Sequence, residues 1–160
     1  MKKREISVWI LLRLTLGWIF LWAFFDKLFG LGFATKSDKS WLLGNSPTTG
    51  FLKAAARGPF ENFFHSLAGY PLIDYIFMAG LLLIGLSLML GIMTKIASYS
   101  GALMMVLMWS ALLPPENNPF LDEHIVYIIV LIGISLDKSV HGFGNKWNRL
   151  KLVKDYPILK

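Results

Sequence analysis

Ionisable side chains gather at Asp122-Glu123-His124, directly before an apolar run over 125–136, with Tyr127 just beyond them. Crossing a bilayer core of about 30 Å at 1.5 Å per residue takes about 20 residues. The run is shorter than that, so the helix is expected to begin near Pro119 and to continue through 119–137. It would then carry all three ionisable residues at or just inside the membrane boundary. Charges at that depth are costly unless paired or facing a wet cavity, which makes them candidates for proton handling. Glu123 precedes Tyr127 by one helical turn, and His124 stands at three-residue spacing from it. Either gives a carboxylate or imidazole above a phenol, a place for a quinone head group. As a metal site the run is weak, because successive residues on a helix diverge by about 100°.

Other chemistry-bearing residues lie near the first apolar block. Asp26 and Lys27 close it, and two readings of them stand open. Facing Asp122 and Glu123, they would form an ion pair locking two helices together. With Arg57, Lys27 would instead make an oxyanion site. Arg13 sits about two turns inside the block. It either snorkels to headgroups or binds a polar ligand group. Trp22 shares a helical stripe with Asp26.

The elements that must position these residues follow from composition. Of 160 residues, 55% are hydrophobic and 16% charged, and the apolar residues fall in long blocks. The expected fold is an all-α integral membrane protein, a bundle of four transmembrane helices. The spans are about 6–27, 71–91, 95–113 and 119–137, followed by a basic tail over 138–160. The opening Met1-Lys2-Lys3-Arg4 and its apolar block read as a retained first span, since no small-residue cleavage site follows. Between the first two spans, 31–70 is mixed; Phe60, Phe63, Phe64 and Leu67 recur at helical spacing, as in short amphipathic helices lying in the interface. Small residues such as Gly80, Gly85 and Gly101 permit close helix approach. Met104, Met105 and Met108 read as packing.

Lysine and arginine are concentrated at both termini and at Lys95, which places both termini inside and the Asp26, Asp74 and Asp122 ends outside. The net charge of +6 therefore tracks topology and membrane lipid rather than nucleic acid. Cysteine is absent, excluding disulfides, Fe–S clusters and thiolate sites, and three scattered histidines give no reason to expect haem or an intrinsic metal. No internal repeat or broken-helix pair points to a transporter.

On these residues the chain resembles the DoxX/DoxD family of small four-helix membrane proteins. The matching stretches include Leu16-Gly17-Trp18, Asp26-Lys27-Leu28-Phe29-Gly30, Gly58-Pro59-Phe60, Gly80-Leu81-Leu82-Leu83-Ile84-Gly85 and Asn118-Pro119-Phe120-Leu121-Asp122-Glu123-His124. They cover roughly 8–137, and the last is the most specific. The stretch from Trp41 to Phe51 leans toward the DoxD branch. The resemblance implies a membrane subunit of a thiosulfate:quinone oxidoreductase in a bacterial or archaeal plasma membrane. Quinone would be the co-substrate and a DoxA-like chain the partner. Combined with the charge argument, it makes Asp122, Glu123 and His124 the catalytic candidates. Lys27, Arg57 and Asp26 are the substrate-binding candidates, and Tyr127, Trp22 and Arg13 the quinone contacts. The alternative is a non-catalytic anchor or assembly subunit of a larger membrane complex, or a homo-oligomer.

Overall fold

The computed structural model describes residues 3–116, 118–137, 143–156 and 159. Among these residues all regular structure is helical: α1 (Lys3–Phe29), α2 (Thr49–Ala54), α3 (Glu61–Leu67), α4 (Pro71–Leu90), α5 (Thr94–Ala111), α6 (Glu123–Leu136), α7 (Gly144–Trp147) and α8 (Lys151–Asp155). Lys2, Lys138 and Lys160, which entered the topology argument, lie outside the described residues, as does the 138–142 part of the basic tail.

Helix ends follow local chemistry. Pro71 occupies the first turn of α4, where its missing N–H has no intrahelical role. Gly91 ends that helix in the left-handed region, φ 72°, with its N–H on the Ser87 carbonyl. Two helices, Val8–Phe29 and Pro71–Leu90, are long and apolar enough to cross a membrane. α6 is apolar but has 14 residues, about 21 Å of rise. It starts at Glu123 rather than near Pro119. The reason is a turn: the Asn118 Oδ1 accepts from the backbone N–H of Phe120 and Leu121, and Asp122 is extended.

Helices α1, α4, α5 and α6 close into a four-membered ring, each packing on its two neighbours. Phe20, Met78, Ile84, Leu88, Met105 and Leu131 meet at its centre. The tightest backbone approach pairs α1 with α4. A Cβ on Gly85 would lie 2.9 Å from the Leu21 nitrogen, and one on Gly17 would lie 3.0 Å from the Met89 nitrogen. Backbone atoms cannot swing aside, so Gly85→Val is expected to push the helices apart and destabilise the fold by about 2 kcal/mol. Thermal unfolding of the purified variant in detergent checks this, and an unchanged midpoint would show the crossing to be slack.

A second, smaller core sits at the end of the bundle where α1 finishes and α6 starts, here the upper end. Leu52 of α2, Phe64 of α3 and Ala111 of α5 are buried together. The 31–70 segment is therefore a packed cap. Phe64 is its inward anchor, while Phe60 and Phe63 stay exposed.

Candidate functional site

The upper end of α6 is built around Asp122. Its extended backbone (φ −137°, ψ −172°) makes it the N-cap, and Oδ1 accepts from the N–H of His124 at 3.0 Å and of Ile125 at 3.4 Å. This is the usual answer to orphan donors at a helix start. The second oxygen, Oδ2, meets His124 Nδ1 at 2.9 Å. His124 is 7% exposed, whereas Glu123 is exposed. Tyr127 is half-buried and packs on the main core.

This geometry corrects the expectation that the three side chains diverge. Their ligand atoms lie within 4.8 Å of one another. The 100° rule applies only within a helix, and Asp122 stands outside it. Asp122, Glu123 and His124 are thus the residues that could hold a divalent ion. Such an ion would compete with the cap, since both Asp122 oxygens already accept hydrogen bonds.

The other sequence candidates are not gathered there. Asp26, 2% exposed, accepts from the backbone N–H of Phe33 at 3.2 Å and Ala34 at 3.0 Å, so it organises the loop after α1. Among the described residues no salt bridge joins Asp26 or Lys27 to Asp122 or Glu123. Trp22 packs edge-on against Phe33 at 5.0 Å and near Trp18 at 5.9 Å. Arg13 is buried in the lower half of α1, attracted by Asp137 at the far end of α6. Asp137 follows Tyr127 by ten residues, about 15 Å along that helix. Arg13 and Tyr127 therefore stand at different depths of the bundle.

Arg57 is engaged at the end of α5. Its backbone N–H donates to the Ala111 carbonyl at 2.8 Å and its Nε to the Leu112 carbonyl at 3.2 Å. These are carbonyls that the helix itself leaves without partners. Arg57→Ala is expected to lower stability by about 1 kcal/mol through loss of the Nε bond, read as a small drop in unfolding temperature. A larger loss would mean that the guanidinium does more than hold the cap.

One strongly organised residue was visible in sequence only as the charge opening the second span. Asp74 is 7% exposed and accepts from Ser46 Oγ at 2.8 Å, from the Thr48 N–H at 3.3 Å and from the Thr48 hydroxyl. The available signal was Ser46-Pro47-Thr48-Thr49, a dense run of donors within reach of an acid that opens a helix.

Between α4 and α5, which pack less closely than α1 with α4 or α5 with α6, lies a cavity of about 410 Å³. Phe51, Leu52, Phe64 and Leu67 of the cap roof it. Phe77, Gly80, Ile84, Met104 and Met108 wall it, and Lys27 is its charged lining residue.

The DoxX family model matches residues 8–113, from the body of α1 to just beyond α5. The match stops before the Asn118–His124 motif. No curated protein and no solved structure matches the chain. With the family match running through all of α1 to α5 apart from the first residues of α1, well over half of the chain, and two apolar helices of membrane-crossing length inside it, the chain is a membrane protein that belongs to the DoxX family.

Proposed function

We propose that this chain is a DoxD-like membrane subunit of a quinone-linked oxidoreductase. In this reading α1, α4, α5 and α6 all cross the membrane, both termini are inside, and the upper end is the outer face. Electrons come from thiosulfate or a related small sulfur anion. Two thiosulfate ions join sulfur to sulfur as tetrathionate and release two electrons, and quinone reduction consumes two electrons and two protons. The observation that carries the reading is the buried His124 imidazole bonded to Asp122 at 2.9 Å, with exposed Glu123 beside it. Such a group can pass a proton between solvent and a bound head group. Tyr127, one turn deeper, offers a hydroxyl to a carbonyl oxygen. Exposed Lys36, Lys39 and Lys53 give the outer face a field that draws anions. Lys27 and Arg57 are the anion-binding residues of this reading, Arg57 being oriented by its Nε bond to the Leu112 carbonyl.

A second reading, an anchor or assembly subunit, is favoured by a specific observation. Asp26, Asp74 and Arg57 are all engaged in holding loops to helices. The deciding experiment is thiosulfate-driven reduction of a short-chain quinone by material purified from native membranes in mild detergent. Co-purifying chains are identified in the same sample. Turnover supports the oxidoreductase reading and shows whether a DoxA-like partner is required. Its absence from an intact, quinone-replete preparation transfers the assignment to the assembly subunit.

A further inference from the structure

The cavity between α4 and α5 is separate from the cluster at the start of α6. None of Asp122, Glu123, His124 and Tyr127 lines it. Along α4 it reaches from Ile73 to Ile84, eleven residues or about 16 Å into the bundle. Its inner wall is buried at Leu52, Phe64 and Ile84, while Ile76, Leu103 and Leu107 on its rim are 61%, 60% and 48% exposed. The opening therefore faces sideways, toward the surface a membrane would cover, and the long axis runs along the helices. The volume of about 410 Å³ falls in the range of small-molecule pockets, roughly 300–1,000 Å³.

Lys27 decides what fits. Among the described residues no carboxylate oxygen lies within 4.0 Å of its ammonium, and it makes no hydrogen bond. The adjacent Asp26 attracts Lys27 through space but makes no direct contact with it, its two oxygens accepting from the Phe33 and Ala34 amides. An ammonium on an apolar wall without a bonded counter-charge is unfavourable, and an anionic head group in contact with it removes the penalty. A single point charge suits a carboxylate. Phosphate recognition ordinarily uses an arginine fork or several converging N–H groups, and Arg57 is turned away to α5. The hydroxyl of Thr48, also in the lining, already donates to Asp74.

We propose that the α4/α5 cavity binds a single-chain anionic amphiphile of the fatty-acid class, with its carboxylate on Lys27 and its chain along Gly80 and Ile84. The proposal stands whether or not the chain takes part in quinone reduction.

The test is equilibrium binding of radiolabelled palmitate and hexadecanol to the purified full-length protein in one detergent. The wild type is expected to take up one palmitate, about tenfold tighter than the alcohol of equal chain length, through its charge-assisted contact. Lys27→Gln is expected to bring the two to equal affinity. Gly80→Leu, whose side chain would enter the cavity beside Met104, is expected to weaken both. Equal binding of acid and alcohol by the wild type overturns the proposal without any variant. So does full retention of palmitate by Lys27→Gln, or displacement of palmitate by equimolar phosphatidylglycerol, which would assign the cavity to a phospholipid.

Discussion

Exchanging His124 for glutamine is expected to lower thiosulfate-driven quinone reduction about 100-fold, the lower end of what a positioned proton-transfer group contributes. The loss should fall on kcat, leaving KM for the anion nearly unchanged, because in the proposed function the imidazole is given proton transfer and no contact with the sulfur substrate. Glutamine keeps a polar head of similar reach and leaves the Asp122 cap on the His124 and Ile125 amides in place. Unfolding temperature should therefore stay near that of the wild type. A variant that melts early and loses activity in proportion would show the His124–Asp122 contact to be a structural clasp. A variant with undiminished turnover would remove His124 from the reaction.

Asp74→Ala is expected to lower stability by about 3 kcal/mol, with damage confined first to the cap. The carboxylate is 7% exposed and receives Ser46 Oγ, the Thr48 amide and the Thr48 hydroxyl. Losing charge-assisted bonds and leaving their donors buried accounts for that magnitude. Thermal unfolding in detergent measures the loss, and limited proteolysis between α1 and α4 locates it. Asp74→Asn keeps one carbonyl acceptor and should recover part of the difference. Equal protease resistance in the alanine variant and the wild type would mean that apolar contacts such as Phe64 and Leu52 hold the cap unaided.

Sequence reasoning reached the helices and their close approaches because both rest on composition and on residue size. Apolar blocks announce α1 and α4, and Gly85 announces a crossing whoever its partner is. Long-range polar pairing was less legible. Asp26 and Lys27 are adjacent to each other and lie near other charges, which suggested an interhelical lock. In three dimensions Asp26 turns to the Phe33 and Ala34 amides, because a tight loop after α1 needs an acceptor there. Backbone donors have no signature in side-chain type, so a charge pattern cannot foresee them. The same limit explains Arg57, whose partners are two carbonyls near the end of α5. At Asp122 the error had another source: assigning the residue to a helix interior hid the N-cap, and with it the convergence of Asp122, Glu123 and His124. The Lys27 cavity was also beyond sequence, since Lys27 and Met104 become neighbours of one void only through the looser α4/α5 seam.

Helix α1 has 27 residues and α6 has 14. Inserted together, they ask the bilayer for two different heights on neighbouring sides of one small bundle. Lipid beside the short flank must thin, or the protein must tilt, and mismatch of this kind costs fractions of a kcal/mol per Å. Another protein covering that flank would spare the lipid the deformation. For a second chain, if α6 crosses the membrane, the α6 side would be the one to cover at the lowest elastic penalty.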